Sequence, residues 1–212
     1  SSKCTLIVTE GDSAKTLAVA GLSVVGRDHY GVFPLRGKCK NVRDASVAQL
    51  TGNQEFNDLK KILGLQQGKD YKDVSELRYG RLMIMTDADN DGSHIKGLIL
   101  NMIDYFWPSL LKLGFVVSMV TPIIKASRGN QSKSFYTDSA FRAWYGNGQS
   151  GWRIKYYKGL GTSTSAEARE YFKKIEDLTV KFNTDVMSDK SITLAFDKKK
   201  ADDRKTWLLE ST

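Results

Sequence analysis

The sequence is poor in the residues and segments that mark secreted and membrane proteins. Its 212 residues include two cysteines, Cys4 and Cys39, which match no metal-ligand spacing and make no disulfide framework in a chain of this length. Such cysteine usage fits a reducing compartment. No stretch reaches the roughly 18 to 20 consecutive apolar residues that a membrane helix requires, because polar residues and a proline interrupt residues 98–113. We therefore expect no membrane partner.

Further patterns are missing from the chain. The first residues run directly into a strand-like segment, so we expect no signal peptide. The chain also starts and stops without targeting or tail sequence, which suggests a piece of a larger protein. No G-x-x-x-x-G-K-[ST] pattern occurs, so ATP is not expected to bind here in a P-loop and no cofactor-binding residue is assigned. No internal repeat is visible.

Positive charge is in excess. The sequence has 32 Lys+Arg against 24 Asp+Glu, a formal net charge of +8, and its 41% hydrophobic content is enough to bury a core. This balance favours a polyanionic partner, nucleic acid before membrane. A basic protein without such a partner remains open on charge alone.

The first half of the chain alternates strand and helix patterns. Residues 4–9 predict a strand, 14–25 a helix and 31–35 a second strand, and residues 81–86 are the apolar run typical of a strand buried on both faces. This order predicts an α/β core with a mainly parallel sheet flanked by helices, in which ligands bind at the carboxyl ends of the strands.

Weaker patterns follow. The long helix expected over residues 93–113 is kinked or divided by Pro108, and its Tyr105, Phe106 and Trp107 are expected to pack in the core. The remaining expected strands lie within 116–125, 134–137 and 152–157, and the remaining expected helices cover 44–50, 54–63, 140–145 and 166–175, the last with an N-cap from the 158–165 loop.

An acidic segment, TDADNDGSH at residues 86–94, comes directly after the apolar run. Asp87, Asp89 and Asp91 fit the start of a calcium loop, but its twelfth position is Leu98 rather than Glu and a strand rather than a helix precedes it. A solvated acidic turn is a second interpretation, although three carboxylates in five residues repel one another unless water screens them.

Magnesium is the third interpretation of these aspartates. On extended backbone Asp87, Asp89 and Asp91 project to one side, and Mg²⁺ is typically held by one or two carboxylates together with substrate phosphate. Glu10 could share a metal or transfer a proton to a departing oxygen if its strand neighbours the 81–86 strand. Spacing and charge favour metal-assisted phosphoryl transfer but leave the solvated turn open.

Four blocks of sequence resemble the Toprim domain in the cleavage core of type IIA DNA topoisomerases. They occur in the expected order and the resemblance spans nearly all of residues 3–182. The segments GLSVVGRDHYGVFPLRGK and IMTDADNDGSHIKG are more similar to the eukaryotic topoisomerase II branch than to bacterial gyrase. The blocks are EGDSA at 10–14, PLRGK at 34–38 with NV at 41–42, TDADNDGSHI at 86–95 and YYKGLGTSTSAEA at 156–168.

The resemblance implies a Rossmann-like Toprim fold in three parts. Residues 3–122 are the Toprim core, 123–182 an associated extension with the KGLGTS loop, and 183–212 a linker and the start of a winged-helix region. Family members cut DNA with a tyrosine of the winged-helix domain, and none of the nine tyrosines here matches it. The isolated chain is therefore expected to bind metal, and DNA weakly, without cutting.

Residue roles follow from the same resemblance. Glu10, Asp87 and Asp89 would ligate Mg²⁺, with Asp91 contributing more weakly and Mn²⁺ or Ca²⁺ as substitutes, and Glu10 would act as general acid and base at the scissile 3′ oxygen. A structural carboxylate at a helix N-terminus is a compatible role for Glu10. His94 could orient a phosphate or satisfy a backbone carbonyl, and the structural role is favoured.

DNA contacts are implied for the basic segments. Lys38 and Asn41 match positions near the cut, although Cys39 and Lys40 stand where the family commonly has apolar residues. Contacts of this kind set affinity and salt dependence rather than sequence preference. For two lysines of the later block, a solvated face is an equal alternative to DNA or a neighbouring domain. The implied DNA-contacting residues are Arg36, Lys38, Asn41, Arg43, Lys155 and Lys158.

The complete protein implied is a nuclear, homodimeric, ATP-dependent DNA topoisomerase II acting on double-stranded DNA, with ATP on another domain. The fragment alone could be monomeric. A Toprim nuclease or primase is the alternative enzyme, which the PLRGK and KGLGTSTS blocks disfavour. A non-catalytic metal- or DNA-binding module would require Glu10 to be remote from Asp87.

Overall fold

A computed structural model describes residues 2–35, 54–86, 94–157 and 159–182 of the chain. The helices in this part are α1 (Gly11–Val25), α2 (Gln54–Leu63), α3 (His94–Phe106), α4 (Pro108–Lys112), α5 (Asp138–Tyr145) and α6 (Ser165–Lys173). The strands are β1 (Thr5–Glu10), β2 (Tyr30–Leu35), β3 (Arg81–Met85), β4 (Val116–Met119), β5 (Ile124–Arg128), β6 (Gln131–Phe135), β7 (Arg153–Tyr156) and β8 (Thr179–Lys181).

Five strands form the main sheet in the order β2-β1-β3-β4-β8. The first four run parallel and β8 runs antiparallel to β4, so the expected mainly parallel sheet is confirmed. Because crossovers between parallel strands are almost always right-handed, this strand order implies that α1 covers one face and that α2 and α3 cover the other. The inner strands are therefore buried on both faces, which explains their continuous apolar runs. Pro34, which lacks an N–H, lies in the edge strand β2.

A second sheet of three antiparallel strands, in the order β6-β5-β7, follows β4. The prediction for residues 116–125 missed a break. β4 ends at Met119 and β5 begins at Ile124, with Pro122 between them, so the two halves belong to different sheets. β6 also begins three residues earlier and ends two residues earlier than the strand expected at 134–137. Its residues are largely exposed, which removes the apolar alternation that identifies a strand from sequence.

The division of the long helix at Pro108 is confirmed, since α3 ends at Phe106 and α4 begins at Pro108. Trp107 is 1% exposed and its indole N–H donates to the Gln66 carbonyl at 2.8 Å. Core packing was wrong for Tyr105, which is 64% exposed. Tyr105 lies in the last turn of α3, whereas Trp107 lies between α3 and α4 with a non-helical backbone (φ −141°, ψ 62°), so the two residues do not share a helix face.

Helix α6 connects the two sheets. It packs on α1, where Phe172 lies so close to Gly21 that a Cβ at that position would approach its ring to 2.2 Å. Phe172 is fully buried there. After α6 the chain returns as β8 to the edge of the main sheet. In the sequence, the second sheet is therefore inserted between β4 and β8 of the main sheet.

Candidate functional site

The three parallel strands that contain Glu10 or precede the other predicted site segments in the sequence end at one edge of the main sheet. Thr9 of β1 pairs with Met85 of β3, and Glu10 pairs with Leu35 of β2. The chain therefore leaves this edge at three adjacent points, in the order of the strands β2-β1-β3. The basic segment follows Leu35 in the sequence, and the acidic segment follows Met85, with its first aspartate at position 87.

Glu10 owes its position to the turn that follows it. Gly11 has a φ of +79°, a conformation that L side chains rarely adopt, and this lets the chain pass from β1 directly into α1. Glu10 is exposed at the end of an otherwise buried strand. Within the described residues its side chain makes no capping hydrogen bond to α1, although it has another interaction. Its carboxylate therefore lies at the edge of the sheet and does not cap α1.

Most of the other predicted site residues lie outside the described residues, and their roles stay predictions. Within the described ranges, no group of three or more His, Cys, Asp or Glu side chains could hold a metal ion. His94 is the first residue of α3. None of the helices in the described ranges is long and apolar enough to cross a membrane. The predicted residues outside the described ranges are Arg36, Lys38, Asn41, Arg43, Asp87, Asp89, Asp91 and Lys158.

Lys155 is the predicted DNA-contacting residue that the structure describes. Its Nζ lies 2.9 Å from Oε1 of Glu167, and it also lies over the ring of Tyr157, 4.8 Å from the centroid. The Lys155 side chain is 43% exposed, whereas that of Glu167 is 11% exposed. The lysine is thus engaged in an ion pair with a nearly buried carboxylate. A contact between Lys155 and DNA stays a prediction and would have to share the ammonium group with Glu167.

Four residues, Lys155, Tyr157, Thr164 and Glu167, form what we call the Glu167 cluster. The Tyr157 hydroxyl donates to Oε2 of Glu167, and the Thr164 N–H donates to Oε1 at 3.1 Å. In return the Glu167 N–H donates to the Thr164 hydroxyl at 3.1 Å, which completes a capping box at the start of α6. Three donors therefore converge on one carboxylate.

The electrostatics of the Glu167 cluster favour an ionised Glu167 and a protonated Tyr157. Burial would raise the pKa of Glu167, but the hydrogen bonds from Tyr157, Lys155 and the Thr164 N–H outweigh it and lower the pKa to about 2. Burial, reinforced by the hydrogen bond to Glu167, raises the pKa of Tyr157 above its ordinary value. At neutral pH Glu167 is therefore ionised and Tyr157 carries its proton.

Sequence reasoning missed Glu167. The spacing of Thr164 and Glu167, a Thr-x-x-Glu pattern, was available as a capping-box signal. The approach of Tyr157 and Lys155 to the same carboxylate had no such signal, because it depends on how the 3₁₀ turn Leu160–Thr162 folds the chain back.

Two family models match the chain. Residues 5–120 match the Toprim domain, and residues 119–212 match the C-terminal associated domain of TOPRIM. The first match covers more than half of the chain and contains the whole edge formed by β2, β1 and β3.

Relatives match almost the entire chain. It is 58% identical over 214 aligned residues to DNA topoisomerase 2 of Pisum sativum and 57% identical to DNA topoisomerase 2-beta of Homo sapiens, in each case over 98% of the chain. A crystal structure of the Plasmodium falciparum topoisomerase II DNA-binding, cleavage and re-ligation domain matches with a TM-score of 0.80 and 55% identity, over 98% of the chain and 29% of that structure. The chain spans only 15% and 13% of the two sequence relatives.

Proposed function

The chain belongs to the Toprim domain family, and from this premise we propose that it is the metal-binding part of the DNA cleavage and religation core of a eukaryotic-type DNA topoisomerase II. The observation that carries the proposal is the register between β1 and β3. Thr9 pairs with Met85, so Glu10 ends its strand beside the point where the aspartate segment begins. This is the adjacency that a shared metal site requires, and a remote Glu10 would have favoured a non-catalytic module.

The residues at this edge fit a hard divalent cation, since Glu10 offers a carboxylate oxygen and Asp87, Asp89 and Asp91 follow the neighbouring strand. Mg²⁺ would supply stabilisation of negative charge on the phosphate and the leaving oxygen. The role of Glu10 is to hold a proton and give it to the departing 3′ oxygen, then to take it back during religation. Mn²⁺ and Ca²⁺ are the substitutes to compare.

In the complete protein we propose double-stranded DNA as the substrate and a homodimer in the nucleus as the working form. ATP binds on another domain, and the cleaving tyrosine lies outside this chain. The basic segment with Arg36, Lys38, Asn41 and Arg43 follows β2 and would contact phosphates beside the metal. Residues 3–122 would be the Toprim core, 123–182 its extension, and 183–212 the lead-in to a winged-helix region.

A metal titration tests the site. Mg²⁺ or Ca²⁺ is titrated calorimetrically into the wild-type chain, Glu10→Gln and the matched control Asp104→Asn, whose carboxylate is exposed on α3. Losing one carboxylate ligand should weaken metal binding in Glu10→Gln by about tenfold or more. The control should bind like the wild type.

Equal affinity in all three proteins would remove Glu10 from the metal and contradict the shared site.

A plasmid assay with Mg²⁺ tests the reaction class. The isolated chain should leave supercoiled plasmid intact, because its nucleophile is supplied elsewhere. Nicking by the purified chain that Glu10→Gln abolishes would instead establish the Toprim nuclease alternative.

A further inference from the structure

One carboxylate contacts residues on both sides of the loop 159–164. Tyr157, two positions before this loop, donates its hydroxyl proton to Glu167, and the N–H of Thr164, its last residue, donates to the same side chain. Tyr157 is itself held at the end of the second sheet, next to β7, since its N–H donates to the Ile123 carbonyl at 2.8 Å. Glu167 therefore ties the entry and the exit of the loop to α6.

The middle of the loop is anchored against α1. Leu160 is 2% exposed and belongs to the main apolar core, and the 3₁₀ turn that it begins packs on α1. Glycines at 159 and 161 flank this leucine, and glycine loses more conformational freedom on folding than any other residue. Two glycines around a single anchor need further constraints if the loop is to keep one conformation.

The polar groups of the cluster satisfy one another. Lys155, Tyr157 and the Thr164 N–H share the Glu167 oxygens. The hydroxyl groups of Ser163 and Tyr171 lie 3.3 Å apart, which adds a second link between the loop and α6. The capping of α6 by itself uses only Thr164 and Glu167, so the contact with Tyr157 serves something other than the helix terminus.

We propose that Glu167 is a positioning residue that holds the loop 159–164 in one conformation against α1, the helix that follows Glu10, and so orients this loop toward DNA. The orientation toward DNA rests on the proposed function. The restraint of the loop rests on the hydrogen bonds alone and can be tested without DNA.

Hydrogen exchange of backbone amides tests the restraint. The proteins are the wild type, Glu167→Gln and Tyr157→Phe, with Glu170→Gln as the matched control on the same helix, because the Glu170 side chain is 62% exposed. We expect the amides of 159–164 to exchange about tenfold faster in Glu167→Gln and Tyr157→Phe than in the wild type and the control. The amides of β1, β3 and β4 should keep wild-type protection.

Two results would overturn the restraint. Unchanged exchange at 159–164 in both variants would show that the loop keeps its conformation without the carboxylate. An equal increase in every element would show that Glu167 stabilises the whole fold and positions nothing in particular. Tyr157→Phe removes one hydroxyl only, so it remains informative if Glu167→Gln folds poorly.

DNA affinity tests the orientation, by fluorescence anisotropy with a labelled duplex. On charge alone, removing a carboxylate strengthens DNA binding, and Glu170→Gln should show this small increase. Positioning predicts the opposite sign, a decrease of about three- to tenfold in both Glu167→Gln and Tyr157→Phe. Faster loop exchange with an increase or no change in affinity would contradict the orientation. A wild-type chain without affinity for DNA would count against the proposed function while leaving the exchange result intact.

Discussion

The two faces of α6 make different kinds of interaction with the rest of the protein. One face carries Ala168 and Phe172, both fully buried, and packs on α1 through the close approach of Phe172 to Gly21. The other carries Glu167 and Glu170, which meet Lys155 and Lys125 of the second sheet at 2.9 and 3.9 Å. The same nine-residue helix thus contacts the main sheet's helix α1 by apolar packing and the second sheet by ion pairs.

This difference separates stability from orientation. Apolar burial is strong and non-directional, so the Phe172 face decides whether α6 stays on the core. Hydrogen bonds to a carboxylate are directional, so the Glu167 face decides how the loop 159–164 and the second sheet are oriented around the helix. Substitutions on the two faces should therefore change the free energy of unfolding by different amounts, with different pH dependence, and should disturb different parts of the structure.

The largest effect is expected on the packed face. Phe172→Ala should lower the free energy of unfolding by about 3–5 kcal/mol, because it removes a buried ring and leaves a cavity against α1. Urea denaturation should show this loss equally at pH 7 and pH 5. A loss below about 1 kcal/mol would mean that α6 is not held by this contact.

An intermediate, pH-dependent effect is expected at Glu167. Glu167→Gln should cost about 1–3 kcal/mol at pH 7, because buried donors lose a charged acceptor. The pKa of Glu167 is lowered from its ordinary value of 4.5 to about 2 in the folded protein. A lowered folded-state pKa gives stability that is present above 4.5 and is lost as the pH falls toward 2. Unfolding measured from pH 7 to pH 2.5 should therefore show the variant approaching the wild type at the acid end, and a constant difference would contradict the ionised pair.

The smallest effect is expected at the exposed end of the charged face. Glu170→Gln should change the free energy of unfolding by less than about 0.5 kcal/mol, since the ion pair with Lys125 is long and solvated. Raising the salt concentration should reduce even this difference. A loss as large as that of Glu167→Gln would show that the charge of α6, rather than the buried geometry of Glu167, holds the small sheet.

The fold was predictable where burial leaves a pattern. The apolar run at 81–86 became β3, and Pro108 divided the long helix as expected. The second sheet was poorly predicted, because β6 reads QSKSF and pairs through its backbone while four of its five side chains are exposed. β8 has only three residues and is stabilised by pairing with β4, which no local pattern reports.

The site divides in the same way. The adjacency of Glu10 and the end of β3, the strand that precedes the aspartates in the sequence, could be expected from the order of parallel strands, because strand ends follow from topology. The Glu167 cluster could not be expected, because Tyr157 and Glu167 are ten positions apart in the sequence and a glycine-containing turn lies between them. Sequence spacing predicts neighbours along one helix or strand, whereas this contact requires the conformation of the intervening loop.

The antiparallel return of β8 has a consequence for how the chain is made. Met119 pairs with Thr179, a separation of about 60 residues along the chain. During synthesis the outer edge of β4 therefore emerges from the ribosome well before its partner and stays open until the small sheet and α6 have been translated. Completion of the main sheet is thus a late event in folding, and chaperone capture would be expected in that interval.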